Sequence, residues 1–221
     1  TPTGLYRQRP DSSTVNPDDV RRDWAEREGE FSPEYYAHQG PNAASESIRE
    51  LLLHYLDTDA RVLEIGCSSG RHLAHLHDGG FRNLHGIELN ADALDVMAET
   101  YPELADSGTF HVGDAGELLP TVEDGAFDAV YTVETLQHIH PEEADHVFDE
   151  VARVTDDLLV TVENESARGA GAREDTDVSY VNDEFPLYHR DWKAIFTERG
   201  FAQLLEQSSK RRDRLRVFRR P

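Results

Sequence analysis

The segment VLEIGCSSGR at residues 62–71 constrains the fold of this chain more than any other part of its sequence. Four strand-forming residues run into a loop of glycine, cysteine and serine, and a helical pattern begins at Arg71. A tight loop between a strand and a helix lets a ligand approach the backbone closely, at the positive end of the helix. The segment therefore predicts an α/β sheet with a ligand site at the carboxyl end of its first strand.

Strand and helix patterns alternate from residue 42 onward. Short apolar runs predict seven strands, at 62–65, 84–89, 109–112, 127–133, 158–163, 201–207 and 215–219. Apolar spacings of three and four predict helices that begin at Asn42 and cover 71–78, 91–101, 141–154 and 191–199, with a short turn near 117–119. The fold class is therefore α/β: a Rossmann-like, doubly wound seven-stranded sheet, mostly parallel, with a C-terminal antiparallel hairpin strand.

Two stretches lack this alternation. Residues 1–41 are polar at first and then form an aromatic-rich lead-in, and residues 166–184 are polar and charged, which predicts a long loop. In the last predicted strand Leu215 and Val217 alternate with arginines. This alternation predicts a half-exposed strand with a basic face.

The charge of the chain restricts its partners. The 221 residues include 44 Asp and Glu against 22 Lys and Arg, for a formal net charge of −22. Such a surface repels phosphate backbones and anionic lipid, which argues against nucleic-acid and membrane binding. Cys67 is the only cysteine, so no intramolecular disulfide can form, and no apolar run predicts a membrane span or a signal peptide. These features predict a cytoplasmic protein.

The acidity also predicts adaptation to a salt-rich cytoplasm, because molar salt screens the self-repulsion while carboxylates maintain solubility. We expect the protein to lose part of its secondary structure on desalting, and circular dichroism measures this loss. An unchanged spectrum after desalting would contradict this hypothesis.

Two acidic residues follow at the ends of the second and third predicted strands. Glu88 lies at the end of the second, and Asp114 follows the third in the run GDA. Open α/β sheets bind ligands at the carboxyl ends of their strands, and an acid at the second strand suits hydrogen bonds to ribose hydroxyls. The three strand ends together predict one elongated nucleoside site.

The motifs VLEIGCSSG, GIEL, GDA and FDAVYTVETLQHI, in this order, resemble those of class I S-adenosylmethionine-dependent methyltransferases. The resemblance covers roughly residues 45–220. It implies methyl transfer as the activity and S-adenosylmethionine as the cofactor. It divides the chain into an N-terminal segment or lid at 1–41 and a cofactor-binding methyltransferase domain at 42–221. The acidic surface favours a small-molecule substrate over RNA.

The resemblance also implies the residues of the cofactor site. Glu64 and Gly66 would lie near the methionine part, with Cys67, Ser68 and Gly70 in the same loop. Ser68 stands where the family usually has glycine.

The adenosine end of the site is implied in the same way. Glu88 would hold the ribose hydroxyls, and Leu89 would pack against adenine. Asp114 would accept a hydrogen bond from the adenine amino group, beside the backbone of Ala115.

Catalysis needs few further groups, because methyl transfer from a sulfonium chiefly requires positioned reactants and excluded water. The resemblance implies that Val133 and Glu134 end the fourth strand at the methyl-donor centre. A nucleophile with a proton to lose needs a general base. The candidates are His138, ranked first, then Glu134 and His140. No metal site is predicted.

The substrate pocket of this family is built from the N-terminal segment and from the insertion after the fifth strand. The candidate substrate residues there are Tyr35, Tyr36, His38 and Tyr188. Three further histidines, at positions 72, 75 and 77, are interpreted as solvated rather than as a metal cluster.

Three alternatives stay open at this point. The loop also spells G-x-S-x-G with Ser68 at its centre, the nucleophile elbow of α/β-hydrolases, although no strand is predicted before residue 62. A nicotinamide-binding domain would explain Glu88, but the loop spacing is not G-x-G-x-x-G. A methyltransferase-like protein that binds the cofactor without catalysis is the third.

Overall fold

The computed structural model describes residues 16–165, 178–181, 185–208 and 213–221. The strands in this part of the chain are β1 (Arg61–Ile65), β2 (Asn83–Glu88), β3 (Thr109–Val112), β4 (Phe127–Val133), β5 (Thr155–Asn164), β6 (Val178–Val181), β7 (Phe185–Tyr188), β8 (Ala202–Ser208) and β9 (Asp213–Arg219). The helices are α1 (Pro17–Ala25), α2 (Pro33–Gln39), α3 (Ala43–Tyr55), α4 (Arg71–Asp78), α5 (Asp92–Thr100), α6 (Pro102–Ser107), α7 (Ala115–Leu118), α8 (Pro141–Val154) and α9 (Trp192–Glu198).

Seven of these strands form one sheet in the order β3-β2-β1-β4-β5-β9-β8. The pairs among β1 to β5 are parallel, and β9 is antiparallel to both of its neighbours. Strands β6 and β7 form a separate antiparallel hairpin. The predicted fold class is confirmed, and the order of the strands reverses between β1 and β4, where open α/β sheets bind their ligands.

Helices cover both faces of the sheet, each over its own apolar core. One core joins α3, α4, α5 and α6 to the sheet, through residues such as Leu52, Leu73 and Met97. The other joins α8 and α9 to the opposite face, through residues such as Val151 and Trp192. Both cores leave the carboxyl ends of the parallel strands open for a site.

Local caps explain why several predicted helix boundaries agree with the structure. The Asn42 side chain accepts from the amides of Ala44 and Ser45, and the Ser45 hydroxyl accepts from the Asn42 amide, which closes a capping box at the start of α3. Helix α8 begins with Pro141 and has acids in its first turn. Helices α4 and α8 have the predicted bounds, 71–78 and 141–154.

The less regular stretches contain an element that was not predicted, and two predictions there were wrong. Residues 33–39 of the aromatic-rich lead-in, for which no element was predicted, form a helix capped by Ser32. Residues 178–181 of the predicted long loop form β6, while 166–177 and 182–184 lie outside the described residues. Strand β9 is an interior strand and mostly buried, rather than half-exposed with a basic face. Leu215, Val217 and Phe218 pack into the two cores, and Arg216 is buried in ion pairs with an acid of β8 and with the acid that follows β5.

The predicted division at residues 41 and 42 stays a prediction. Among the described ranges, no helix is both long and apolar enough to cross a membrane.

Candidate cofactor and substrate site

A cavity of about 400 Å³ opens at the carboxyl ends of β1 to β4, a size typical of small-molecule sites. Its floor is the loop after β1 together with the ends of the neighbouring strands. Its cover comes from α1 and α2, through Val20, Arg21, Trp24, Pro33 and Tyr36.

The loop after β1 depends on three residues in the left-handed region. Gly66, Ser68 and Gly70 have φ of 74°, 48° and 79°. The amides of Gly66 and Cys67 both donate to the Ile87 carbonyl, at 2.8 and 3.1 Å, which fastens the loop to the end of β2. Ser68 thus adopts the conformation that glycine provides more easily, which accounts for the usual glycine at this place.

Cys67 is 1% exposed, and burial raises the pKa of its thiol well above the ordinary value. The thiol packs where a Cβ on Gly86 would stand, 2.6 Å from its sulfur. Its geometry is that of a packing residue in a wall of the cavity.

The Glu88 carboxylate is anchored to the same loop. The Ser68 amide donates to Oε2 at 2.7 Å and the Asn90 amide to Oε1 at 2.9 Å. Burial raises the pKa of Glu88, while these hydrogen bonds oppose the shift. Each carboxylate oxygen can accept a second hydrogen bond, so the anchored group can still receive two hydroxyl donors from a ligand.

The predicted adenosine residues line this one cavity. Asp114 caps α7 by accepting from the Gly116 amide at 2.8 Å, and its carboxylate faces the cavity beside Ala115. Leu89 adds an apolar wall next to Glu88.

Glu64 lies beneath the loop and outside the cavity lining. Its Oε2 accepts from the Tyr131 hydroxyl at 2.9 Å, and its Oε1 has no hydrogen-bond partner among the described residues. Burial raises the pKa of Glu64 well above its usual range, with the Tyr131 hydrogen bond and the Arg71 charge opposing the shift.

The segment after β4 forms the boundary of the cavity opposite the adenosine residues. We call residues 134–140 the β4 turn. Val133 and Glu134 line the cavity, and Glu134 has φ of 51°, a strained value for a residue with a Cβ.

Glu163, at the end of β5, fixes the backbone of the β4 turn. Its carboxylate accepts from the amides of Thr135, Leu136 and Gln137, each at 3.2 Å, and from the Thr132 hydroxyl at 2.8 Å. Sequence reasoning missed this residue, because its partners are mostly backbone atoms 26 to 28 positions away.

Arg190 holds the carbonyls of the same turn. Its guanidinium donates to the Leu136 carbonyl at 3.1 Å and to the Ile139 carbonyl at 2.7 Å. Sequence reasoning missed this residue also. The β4 turn is therefore fixed from both sides, by a carboxylate on its N–H groups and a guanidinium on its C=O groups.

The buried Glu163 predicts a pH dependence of stability. Burial raises its pKa from the ordinary 4.5 to about 7. The stability that this group contributes is therefore present below pH 4.5 and is lost as pH rises through 7. We expect the free energy of unfolding of the wild type, relative to Glu163→Gln, to fall by about 3 kcal/mol over this window.

Urea unfolding at constant salt measures this difference. The exposed Glu99→Gln serves as the control and should run parallel to the wild type. The expectation would be contradicted if the stability of Glu163→Gln changed with pH in parallel with that of the wild type.

His138 links the β4 turn to the β6–β7 hairpin. Its Nδ1 lies 2.9 Å from the Pro186 carbonyl, which only accepts, so Nδ1 carries the proton. Its Nε2 lies 3.3 Å from the Gln137 amide nitrogen. Burial lowers the pKa of His138 to about 4. Its ring lines the cavity, but the low pKa makes it a weak base near neutral pH.

His140 caps helix α8. Its Nδ1 accepts from the Glu142 amide at 3.3 Å, so the lone pair of that nitrogen is engaged and Nε2 carries the proton. The ring is 7% exposed and lines the cavity. His140 is therefore placed to donate a hydrogen bond rather than to accept a proton.

Of the predicted substrate residues, Tyr36 alone lines the cavity. The Arg71 guanidinium lies 4.6 Å from the centre of the Tyr36 ring. Tyr35 packs on Tyr36 and His38 is exposed, both outside the lining. Tyr188 is buried beside Arg190, with their ring-to-guanidinium distance 5.2 Å.

The interpretation of the α4 histidines as solvated was wrong for His72. It is 5% exposed, lies 2.8 Å from the Ser45 hydroxyl through Nδ1, and accepts from Arg71 Nε at 3.2 Å. Burial lowers its pKa to about 3. Within the described residues no group of three or more potential metal ligands occurs.

The hydrolase interpretation lacks its catalytic partners. Within the described residues, no hydrogen bond joins the Ser68 hydroxyl to a histidine or an acid, and no strand precedes β1. Ser68 acts through its backbone amide, which holds Glu88.

The residues present fit S-adenosylmethionine. An anchored carboxylate at Glu88 suits a ribose diol, and Leu89 and Asp114 provide an apolar wall and an acceptor for adenine. The tight loop at Gly66 leaves room for a ligand against the backbone.

Comparison with known proteins agrees with this site. Residues 62–157 match the family model of a methyltransferase domain. No curated protein matches the chain. The 1,6-didemethyltoxoflavin-N1-methyltransferase of Burkholderia thailandensis, with bound 1,6-didemethyltoxoflavin and S-adenosylhomocysteine, superposes with a TM-score of 0.69 at 15% identity, over 93% of this chain and 91% of that chain.

Two further solved structures are similar. Magnesium protoporphyrin IX methyltransferase from Synechocystis PCC 6803, with bound S-adenosylhomocysteine, has a TM-score of 0.64 at 18% identity, over 92% of this chain and 94% of that chain. A [4+2]-cyclase has a TM-score of 0.64 at 17% identity, over 90% of this chain and 86% of that chain.

The fold is that of the class I methyltransferases. Residues 62–157 match a methyltransferase domain, and the resemblance seen in the motifs is confirmed. This match supports methyl transfer as the reaction class, and similar solved structures hold S-adenosylmethionine or S-adenosylhomocysteine.

Proposed function

We propose that this chain methylates a small organic molecule held in the covered cavity. The main support for this proposal is the cover that α1 and α2 form over the cavity. The Trp24 ring packs against those of His138 and Phe185, both at 4.6 Å between centroids, and Arg21 pairs with Glu143 of α8. Helix α1 thus lies across the cavity, and a macromolecular substrate would have to displace it.

Each half of the cavity has its own task in this proposal. Glu88, Leu89 and Asp114 hold the adenosine part of the cofactor, which supplies an electrophilic methyl group when bound. The β4 turn, fixed by Glu163 and Arg190, positions the acceptor against it, and α1 excludes water.

The first test is a calorimetric titration in molar KCl with S-adenosylhomocysteine, S-adenosylmethionine and NAD. We expect micromolar binding of both adenosyl ligands and none of NAD. A folded sample that binds neither adenosyl ligand would overturn the cofactor site.

The second test uses methyl-labelled S-adenosylmethionine and a cell extract divided into small-molecule, protein and RNA fractions. The proposal predicts label in the small-molecule fraction, and none with Gly66→Ala as the control. Label in protein or RNA would contradict it.

Two roles in catalysis can be distinguished at His138, that of a general base and that of a positioning residue. Because of its low pKa and its bond to Pro186, we propose that it positions the hairpin rather than removes a proton. We expect His138→Ala to lower kcat/KM about tenfold, the worth of a lost hydrogen bond and its packing, with an unchanged pH profile.

The His140→Ala variant is the matched control, since it removes a neighbouring imidazole and the α8 cap. It should lower stability by about 1 kcal/mol. A lost acidic limb in the profile of His138→Ala would restore the general-base role.

A further inference from the structure

We call the part of the cavity beside the β4 turn and the end of β5 the substrate half. Two buried acceptors lie there. Asn164 ends β5 and Asp213 begins the antiparallel β9, and the two residues are paired in the sheet register. Both line the cavity. The adenosine residues follow β2 and β3, on the other side of β1 and β4, so this pair lies away from the cofactor half.

The Asn164 amide has a fixed orientation. Its Nδ2 donates to Asp213 Oδ1 at 3.3 Å, so its Oδ1 points away from that carboxylate. The residue is 9% exposed, and Oδ1 has no hydrogen-bond partner in the described part of the chain. A buried acceptor without a donor is costly, so the polar contacts beside Asp213 are incomplete within the described residues.

The Asp213 carboxylate has no cationic partner within the described residues. It is 8% exposed, and within the described residues it forms no ion pair; the Asn164 amide is its side-chain hydrogen-bond donor. A buried carboxylate is stable when a positive charge or several donors face it. Because Asp213 lines the cavity, a cationic ligand there would supply the partner that the described residues do not.

The arginines around the cavity have other contacts. Arg21 pairs with acids of α1 and α8, and Arg71 lies over Tyr36 beside the glycine loop. The Arg27 guanidinium lies 4.3 Å from the centre of the Phe185 ring. Five carboxylates and these three arginines line the cavity, which leaves its lining acidic.

Apolar groups form the rest of the substrate half. Trp24 and Tyr36 offer ring faces, and Leu187 adds an aliphatic wall. Aromatic rings beside a carboxylate suit an apolar body that carries a cationic head.

We propose that the methyl acceptor is an amine that binds in its ammonium form, with an aromatic body between Trp24 and Leu187 and its nitrogen donating to the Asp213 carboxylate, beside Asn164. The Asp213 carboxylate would accept one proton from the bound ammonium, and the freed nitrogen lone pair would form the N–C bond as the bond from that methyl carbon to the cofactor sulfur breaks. The methylated ammonium and S-adenosylhomocysteine would leave, and Asp213 would return its proton to solvent. This inference rests on the proposed function. An alcohol would leave the Asp213 charge uncompensated, and a carboxylic acid would place two anions together.

The test is calorimetry of the whole chain in molar KCl with saturating S-adenosylhomocysteine. The probes are two matched sets that differ only in the polar head: phenethylamine, 2-phenylethanol and phenylacetate, and tryptamine, tryptophol and indole-3-acetate. In each set we expect the amine to bind about tenfold tighter than the alcohol, and the acid not to bind.

Two variants locate the effect. Asp213→Asn keeps the shape and removes the charge, so amine affinity should fall to that of the alcohol while S-adenosylhomocysteine affinity stays unchanged. Thr161→Val is the control. It removes a buried polar atom without a partner from β5, at a position outside the cavity lining. It should leave amine affinity unchanged.

The outcomes are distinguishable. Failure of S-adenosylhomocysteine to bind would overturn the proposed function itself. If S-adenosylhomocysteine binds, three results would overturn the amine proposal alone. They are an alcohol or acid that binds as tightly as its amine, no binding of either amine, and an undiminished preference for amines in Asp213→Asn.

Discussion

Alanine at position 66 is expected to abolish cofactor binding and to lower the free energy of unfolding by about 3 kcal/mol. Gly66 has φ of 74°, and a Cβ there would lie 2.3 Å from Oγ1 of Thr135 and 2.6 Å from its Cγ2. The loop after β1 and the β4 turn would have to separate. Both line the cofactor cavity, so the site would lose its floor.

Two effects contribute to the lower free energy of unfolding of Gly66→Ala, and a control variant separates them. A left-handed residue with a Cβ costs about 1–2 kcal/mol, and overpacking costs about 1–3 kcal/mol. Gly200 has φ of 88° with nothing within 4 Å of a Cβ, so Gly200→Ala isolates the backbone cost far from the cavity.

A second substitution tests the contact with Thr135. Adding Thr135→Ala to Gly66→Ala removes the two closest atoms and should restore part of the stability. Calorimetry with S-adenosylhomocysteine and urea unfolding measure the two effects. Near wild-type affinity for Gly66→Ala would show that the loop is not the cofactor floor.

Glu88→Ala is expected to weaken S-adenosylhomocysteine binding at least tenfold. The substitution removes the proposed acceptor for two ribose hydroxyls, and hydrogen bonds to a charged group contribute about 1.5–3 kcal/mol each. It also leaves the amides of Ser68 and Asn90 without their acceptor, so the loop loses one of its connections to the end of β2 and keeps those to Ile87. Both losses act in the same direction.

Glu88→Gln separates the shape of this group from its charge. The amide keeps one acceptor but places an NH₂ group against a backbone N–H, so its affinity should lie between those of Glu88→Ala and the wild type. Glu99→Ala removes an equal charge from the exposed face of α5 and should change nothing. Unchanged calorimetric affinity in Glu88→Ala would remove this residue from the site.

The sequence predicted the parts of the fold that local chemistry determines. The strand–loop–helix at 62–78 follows from apolar runs, glycine and helix spacing, all within a few residues. The cofactor half of the cavity follows from strand order, because carboxyl ends of neighbouring strands meet at one edge. The individual roles of its residues stay predictions.

Long-range contacts were beyond such patterns. Glu163 and Arg190 act on backbone atoms of the β4 turn, and no spacing in the sequence connects them to it. His72 shares α4 with the half-buried His75 and His77, and the Ser45 hydroxyl that holds it comes from α3. Strands β6 and β7 have four residues each, and β6 lies within the polar stretch, so neither alternation nor length distinguished the hairpin from a loop.

The position of β9 bears on how the cavity is assembled. Residues 213–219 lie between β5 and β8, and Asp213 at their start reaches the cavity. A growing polypeptide can build β1 to β5 and the adenosine half before these residues leave the ribosome. The part of the cavity that contains Asp213 is therefore completed last, because β9 pairs between two strands that are synthesised before it.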